Sequence, residues 1–217
     1  MPSARESLLS AARAALTHQP WTTVRMVEVA AAAGVSRQTL YNEFSSKEGL
    51  GTALVKRQME AFVTGAADEV AAARRSGGDP GVCCAAVAVW MLCRAREEPL
   101  VRAALTGCWN SRLPLPDAAA PEELVERLRD GTLAALRAAP LPGAAGEGAA
   151  DAGPPGTGQV AGGRRPGAGL HRAWETGLRL ALSYVIAPPG EPEAPARVAD
   201  AVTALLTHGP AGDGRPR

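Results

Sequence analysis

The stretch from Met26 to Lys47, MVEVAAAAGVSRQTLYNEFSSK, most constrains what this chain can fold into. Two short helices meet in it at Gly34, a residue that adopts a positive φ at a helix C-terminus without a Cβ clash. Ser36 follows and is a favourable N-cap, because its side-chain oxygen accepts a hydrogen bond from an unpaired backbone N–H. The pattern predicts a helix over 26–33, a tight turn, and a second helix over 37–44.

The apolar residues of this stretch predict its buried faces. In the first helix, Val27, Ala30 and Ala31 have the i, i+3, i+4 spacing of one buried face. In the second helix, Leu40 and Phe44 are four residues apart and are expected to point into the core. The polar residues of the second helix then lie on its outward face.

Two helices joined by a short turn that contains Gly form a helix-turn-helix, whose second helix enters the DNA major groove. The outward residue types suit this role, since Arg bonds guanine bidentately and Gln and Asn do the same to adenine. Tyr and Lys are suited to phosphate oxygens, which fix register. A helical hairpin with a solvated polar face has the same spacing, so spacing alone leaves both interpretations open.

The run AAAGVSRQTLYNEFSSKEGL resembles the second helix-turn-helix element of the TetR family of bacterial transcriptional regulators. The shared pattern is AGVS, a variable pair, TLY, a Phe after a further pair, and SKE at the start of a long helix. The resemblance covers roughly the first 55 residues, and the remainder is similar only in architecture. The matching residues are Ala33, Gly34, Val35, Ser36, Thr39, Leu40, Tyr41, Phe44, Ser46, Lys47 and Glu48.

The resemblance implies that the outward face of the second helix contacts DNA and that Lys47 contacts a phosphate. The predicted DNA-binding residues are Thr23, Arg25, Ser36, Arg37, Gln38, Thr39, Tyr41, Asn42 and Lys47. Two positions depart from the family pattern. Glu43 stands where many members have a phosphate-facing His. Arg25 stands at the usual Thr or Ser cap, which leaves Thr22 or Thr23 as a substitute cap or as a phosphate ligand.

Composition adds few constraints. The net charge of +1 does not by itself indicate nucleic acid, but the first 57 residues carry seven Lys and Arg against four Glu, a net +3 that favours a phosphate-facing surface. No secretory leader is evident, and no stretch approaches the ~20 apolar residues of a membrane span. We therefore expect a cytoplasmic protein without a membrane partner.

Helical periodicity continues along the chain and predicts about nine helices. The first begins with a capping-box pattern, Ser3 and Glu6. Trp21 is expected in the core beneath the helix-turn-helix. The other helices are predicted over Ser3 to His18, Ser45 or Ser46 to Arg75, Val82 to Arg96, Pro99 to about Ser111, Pro121 to about Ala138, Leu170 to Ala187 and Pro195 to about His208.

The predicted fold is all-α, with a three-helix helix-turn-helix DNA-binding head over 1–47 and a C-terminal helical ligand-binding and dimerisation domain over 48–208. The fourth helix is too long for the head alone and is expected to join the second domain. Within that domain, 140–169 is rich in Gly, Ala and Pro and predicts a flexible linker. A disordered tail is predicted over 209–217.

The resemblance also implies a small-molecule pocket in the C-terminal domain. Aromatic and sulfur-containing side chains are candidates to line it, although packing in the core is an equally consistent role. The candidates are Trp90, Met91, Cys93, Cys108, Trp109 and Trp174.

The four cysteines, Cys83, Cys84, Cys93 and Cys108, lack zinc-site spacing, so no metal or other cofactor is expected. Their expected role is that of reduced apolar core residues. The alternative is a thiol sensor that releases DNA on oxidation.

A homodimer is expected, because paired heads each read a half-site, commonly about 34–36 Å apart. The last two helices are apolar and suit a four-helix interface, and the resemblance implies the same helices. The interface candidates are Leu178, Leu182, Val198, Val202 and Leu205, with the intramolecular core as the alternative role.

The sequence thus predicts a DNA-binding transcriptional regulator, a repressor that binds a palindromic operator as a homodimer and is released by a small-molecule effector. An enzyme is disfavoured, because His18, His171 and His208 are scattered and no nucleophile–base signature is visible. The remaining alternative is a helical ligand-binding module without sequence-specific DNA binding, for which Glu43 is the single indication.

Overall fold

The computed structural model describes residues 2–110, 112–114, 121–139, 166–188 and 194–208. Within these ranges all regular structure is helical, as the sequence predicts, and no helix there is long and apolar enough to cross a membrane. A 3-10 turn at Trp21–Thr23 precedes the second α-helix. The helices are α1 (Ala4–His18), α2 (Met26–Ala32), α3 (Arg37–Phe44), α4 (Lys47–Arg75), α5 (Pro80–Glu97), α6 (Pro99–Thr106), α7 (Pro121–Ala138), α8 (Pro166–Ile186) and α9 (Ala194–His208).

The chain forms two compact units. The head unit comprises Met1–Val63 with Arg94–Leu124, and the second unit comprises Thr64–Cys93 with Val125–Arg217. The predicted division at residue 47 stays a prediction, and the predicted tail over 209–217 lies outside the described residues.

Polar contacts explain why the segment around α6 belongs to the head unit. Glu98, just before α6, forms an ion pair with Arg13 of α1 and accepts a hydrogen bond from Gln58 Nε2 of α4 at 3.5 Å. After α6, the Arg112 carbonyl accepts a hydrogen bond from the Trp21 backbone N–H at 2.8 Å. Trp21 is buried, as predicted.

The N-terminus of α1 has the predicted capping box. Ser3 Oγ accepts a hydrogen bond from the Glu6 backbone N–H at 3.2 Å, and Glu6 Oε2 accepts one from the Ser3 backbone N–H at 3.0 Å. Helices α1, α2 and α3 pack on one another. The buried residues of α1 are Leu8, Leu9 and Ala12.

The buried face of α2 differs from the prediction. Val29 and Ala30 are buried, whereas Val27 is 43% exposed and Ala31 is also exposed. In an Ala-rich helix of two turns, Ala30 fits two overlapping i, i+3, i+4 patterns. Contact with α1 and α3 selects the face that carries Val29.

Two helix boundaries differ from the prediction by more than two residues. Helix α6 was expected to reach about Ser111 but ends at Thr106, because Gly107 adopts a φ of 69°. Helix α8 begins at Pro166 rather than Leu170, so residues 166–169 are helical and not part of a linker. The rest of the predicted linker, 140–165, lies outside the described residues.

The core of the second unit centres on Trp174, which is fully buried. Its Nε1 donates a hydrogen bond to Thr132 Oγ1 at 2.9 Å, and Thr132 Oγ1 donates one to the Leu128 carbonyl at 2.6 Å. Pairing of these polar atoms makes burial of the indole favourable. The buried apolar residues of α7 are Leu124, Val125, Leu128, Leu133 and Leu136.

The cysteines divide into two classes. Cys83 and Cys84 are buried, as predicted, whereas Cys93 and Cys108 are exposed and are not core residues. Helix α5 therefore has a surface face at Cys93. Burial raises the pKa of Cys84 to about 12, so its thiol stays protonated and lacks the thiolate that a redox sensor needs. The described ranges contain no cluster of three or more His, Cys, Asp or Glu side chains suited to a metal.

Candidate nucleic-acid interface

The turn between α2 and α3 has the geometry that the sequence predicts. Gly34 adopts a φ of 68° and donates a hydrogen bond to the Ala31 carbonyl, while Val35 N–H donates to the Ala30 carbonyl at 3.0 Å. This pair of bonds is a Schellman motif, which ends α2 and turns the chain toward α3. A Cβ at Gly34 would meet no atom within 4 Å, so the positive φ, and not crowding, makes glycine favourable here.

At the start of α3, Ser36 is the N-cap that the sequence predicts. Its Oγ accepts a hydrogen bond from the Thr39 backbone N–H at 3.0 Å and lies 2.9 Å from Thr39 Oγ1. Both hydroxyls are therefore engaged locally in the structure. The cap fixes the N-terminal end of α3. In a recognition helix, the side chains at this end contact base edges in the major groove.

The two faces of α3 are as predicted. Leu40 is fully buried and Phe44 is 6% exposed. Thr39 lies at the boundary, half-buried. The exposed polar side chains are Arg37, Gln38, Tyr41 and Asn42. A two-turn helix anchored on one side and polar on the other has the form of a DNA-reading helix.

The flanking candidates make contacts within the protein. Arg25 is the N-cap of α2 without a side-chain hydrogen bond, and its guanidinium lies 3.9 Å from Glu28. Thr23 does not replace it as a cap, because its hydroxyl donates to the Pro20 carbonyl at 2.9 Å. Lys47 Nζ donates to the Thr22 carbonyl at 3.1 Å. DNA contacts by these residues remain predictions.

A tight turn connects α3 to α4. Ser45 adopts a φ of 60°, and the Ser46 N–H donates to the Phe44 carbonyl at 2.6 Å, which makes a γ-turn of the rare positive-φ type. Ser46 Oγ then accepts a hydrogen bond from the Gly49 N–H at 3.0 Å and caps α4. Hydrogen bonds from its own backbone N–H and from Ser46 lower the pKa of Glu48. Glu48 therefore stabilises the fold above its ordinary pKa, and this contribution is lost as pH falls.

Replacing Ser45 by glycine should stabilise the head. A Cβ at positive φ costs about 1–2 kcal/mol, and the added freedom of glycine in the unfolded chain returns part of this. We expect a net gain of about 1 kcal/mol and a rise of roughly 2–4 °C in the melting temperature. The matched variant Ser46→Ala removes the cap of α4 and should lower stability by about 1 kcal/mol. A fall in stability for Ser45→Gly would contradict the strained turn.

One residue near α3 was not predicted from the sequence. Arg5 of α1 extends to the C-terminal end of α3, where its Nη1 donates to the Glu43 carbonyl at 3.3 Å and lies 3.5 Å from Glu43 Oε2. Its Cζ lies 4.6 Å from the centroid of the Phe44 ring. Arg5 and Glu43 are 38 positions apart, so helical periodicity carries no signal for this contact.

The six pocket candidates do not all belong to one unit. Trp90, Met91, Cys93 and Trp174 belong to the second unit, and Cys108 and Trp109 belong to the head unit. Met91 and Trp174 are fully buried, whereas Cys93 and Cys108 are exposed. The pocket stays a prediction.

Four of the five interface candidates are buried within the single chain. Their exposed fractions are 8% or less, whereas Leu205 is 36% exposed. A side chain that is already buried in its own chain offers little surface to a partner, and the role of these four at a dimer interface stays a prediction. They are Leu178, Leu182, Val198 and Val202.

Comparison with known proteins agrees with this geometry. Residues 8–54 match the family described as "Bacterial regulatory proteins, tetR family". The HTH-type transcriptional regulator AlkX of Mycobacterium tuberculosis (strain ATCC 25618 / H37Rv) is 42% identical over 59 residues. That match covers 27% of this chain and spans only 28% of the curated relative.

Two solved structures share the fold over nearly the whole chain. The TetR family repressor AlkX from Dietzia sp. strain DQ12-45-1b has a TM-score of 0.57 at 21% identity and covers 95% of this chain and 97% of its own. Thermus thermophilus FadR, a TetR family transcriptional repressor solved in complex with lauroyl-CoA, has a TM-score of 0.54 at 20% identity and covers 98% of each chain. At 20% and 21% identity, these comparisons show a shared fold alone. The family match is confined to the helix-turn-helix head, and over the rest of the chain the two solved structures show a shared fold.

Proposed function

We propose that this protein is a DNA-binding transcriptional regulator without enzymatic activity, which represses genes by binding a palindromic operator as a homodimer. A small-molecule effector releases it from DNA. The observation that carries the proposal is the exposed polar face of α3, which Leu40 and Phe44 anchor from the opposite side.

Side chains along α3 divide into two roles in this proposal. Arg37, Gln38 and Asn42 are exposed and have the donor and acceptor groups that distinguish base pairs in the major groove. Tyr41, 44% exposed, and Lys47 at the start of α4 bind phosphates and so set the register of the head. Lys47 exchanges its contact with the Thr22 carbonyl for a phosphate oxygen when DNA binds.

Dimerisation follows from the length of DNA that a head can read. One head of three helices reads a single half-site, and two-fold symmetry pairs it with a second. The last two helices carry the exposed apolar side chains that support this role, Ile186 at 64% and Leu205 at 36% exposure. Leu205 is one of the interface candidates predicted from the sequence, and Ile186 adds a further exposed position to them.

Effector release requires two states that bind the effector with different affinity. The Thermus thermophilus protein of the same fold was solved with lauroyl-CoA, so lauroyl-CoA is the first effector to test on this chain. An effector acts here only if it binds the DNA-free state more tightly than the DNA-bound state.

The proposal is tested by binding to a random duplex library at two salt concentrations, followed by sequencing of the retained DNA. The expected result is enrichment of one palindrome and an affinity that falls steeply with salt. Salt-sensitive retention without enrichment would indicate a generic DNA binder. No retention at low salt, before and after refolding to remove any carried ligand, would favour a ligand-binding module without DNA binding.

Substitutions on α3 should separate base reading from phosphate positioning. Arg37→Ala and Gln38→Ala should each cost about 1–3 kcal/mol on the enriched operator and little on random DNA. Tyr41→Phe and Lys47→Ala should weaken binding to the operator and to random DNA alike. Lys47→Ala should also reduce the slope of log affinity against log salt concentration by about 1. Lys56→Ala, which removes the same charge from an exposed position of α4, is the matched control. Equal effects of all four substitutions on operator and random DNA would contradict this division.

A further inference from the structure

We infer that Arg5 is a positioning residue for DNA reading, because it holds the last turn of α3 through the Glu43 carbonyl and the Phe44 ring. The inference rests on the proposed function. Helix α3 has only eight residues, so a change of tilt at its C-terminus also moves the reading side chains at its N-terminus.

The carbonyl groups at the end of α3 show what Arg5 contributes. The last carbonyls of a helix have no partner within the helix. The Tyr41 carbonyl accepts a hydrogen bond from the Ser45 N–H, and the Phe44 carbonyl accepts one from the Ser46 N–H. The Glu43 carbonyl accepts one from Arg5 Nη1. Arg5 thus satisfies one carbonyl of the C-terminal turn from another helix, and its positive charge is favourable at this end of the helix dipole.

The same guanidinium also lies over the ring that anchors α3. Phe44 is 6% exposed, and the Arg5 Cζ is 4.6 Å from its ring centroid. A guanidinium within about 6 Å of an aromatic face makes a favourable cation–π contact. One side chain of α1 therefore contacts both the backbone and the anchoring side chain of the last turn of α3.

Glu43 explains why Arg5 stays in this position. Its Oε2 lies 3.5 Å from Arg5 Nη1, and the two side chains are 36% and 49% exposed. An exposed ion pair adds little to stability by itself. Its effect here is to orient Arg5 and to neutralise an acidic group on a surface that faces a polyanion. An acid at position 43, which departs from the family pattern, is thereby compatible with DNA binding.

A direct phosphate contact by Arg5 would also reduce DNA binding when lost, so the test must hold net charge constant. The double variant Arg5→Gln/Glu43→Gln removes the cation and the anion together and leaves the net charge unchanged. Arg94→Gln/Glu97→Gln is the matched control, since it removes another exposed ion pair, 3.2 Å in length, at the end of α5. Affinity for the enriched operator and for random duplex is measured for each, together with the melting temperature.

We expect the Arg5→Gln/Glu43→Gln variant to lose about tenfold in operator affinity, the equivalent of one or two modest polar contacts. Its affinity for random DNA should stay within about twofold of wild type, because non-specific binding follows charge. Its melting temperature should lie roughly 2–4 °C below that of the control variant, since it also loses the contacts of Arg5 with the Glu43 carbonyl and the Phe44 ring.

Three results would overturn the inference. If wild type selects an operator and the double variant selects it equally well, Arg5 does not position α3, and the proposed function stands. If Arg5→Gln alone weakens operator and random DNA equally and lowers the salt slope by about 0.9, Arg5 is a phosphate contact. If wild type selects no operator at all, the proposed function fails and the positioning role fails with it.

Discussion

Replacing Gly49 by alanine should displace α3 from α4 and abolish operator selection. A Cβ at this position would lie 2.1 Å from the Phe44 carbonyl oxygen and 3.3 Å from its carbonyl carbon. These are backbone atoms, so no rotation of a side chain relieves the clash. Overpacking typically costs about 1–3 kcal/mol, and a contact this short should cost close to the upper value. That cost exceeds the gain of about 1 kcal/mol in helix propensity when alanine replaces glycine.

Thermal unfolding and operator binding measure the effect of this substitution. A net loss of about 2 kcal/mol corresponds to a fall of roughly 4–8 °C in the melting temperature of a chain of this size. Gly169→Ala is the matched control, because Gly169 lies in the first turn of α8 and a Cβ there would meet no atom within 4 Å. The control should be neutral or slightly stabilising. Wild-type melting and operator selection by Gly49→Ala would disprove the close approach of α3 and α4.

Replacing Trp174 by alanine should cost the second unit about 3–5 kcal/mol, the range for loss of a large buried aromatic side chain. The indole is fully buried, so its removal leaves a large cavity among packed helices. It also removes the donor to Thr132 Oγ1, although that hydroxyl keeps its bond to the Leu128 carbonyl. Most of the cost should therefore come from lost packing and not from an unpaired polar atom.

Trp174→Phe separates packing from hydrogen bonding. Phenylalanine keeps much of the buried ring but has no donor, so we expect a loss of about 1–2 kcal/mol from the missing bond and the smaller volume. Urea unfolding measures the free energies of both variants. If the phenylalanine variant is as unstable as the alanine variant, the hydrogen bond to Thr132 and not the packing of the indole dominates.

The helix-turn-helix was predictable because its determinants are local. Gly34 with its positive φ, Ser36 as a cap, and Leu40 four residues before Phe44 all act within a few positions along the chain. Caps and helical periodicity depend on short-range geometry, which the sequence displays directly. The capping box at Ser3 was predictable for the same reason.

Helix faces and boundaries were less predictable where composition is uniform. In the Ala-rich helix α2, several residues fit a buried face equally well, and contact with neighbouring helices decided in favour of Val29. At α6, the conformation of Gly107 ended a helix that apolar pattern alone would have continued. In such segments packing decides among alternatives of similar local energy.

By itself, the sequence determined the all-helical fold, the helix-turn-helix and the residues on its exposed face, since each follows from caps and periodicity. Only the tertiary structure decided which distant residues meet. The pairs Arg5 with Glu43, Trp21 with Arg112, and Trp174 with Thr132 lie far apart along the chain. It also decided that the apolar residues Leu178 and Val202 are buried in their own chain. The spacing of residues in a sequence records the periodicity of one helix, whereas such contacts depend on how separate helices pack.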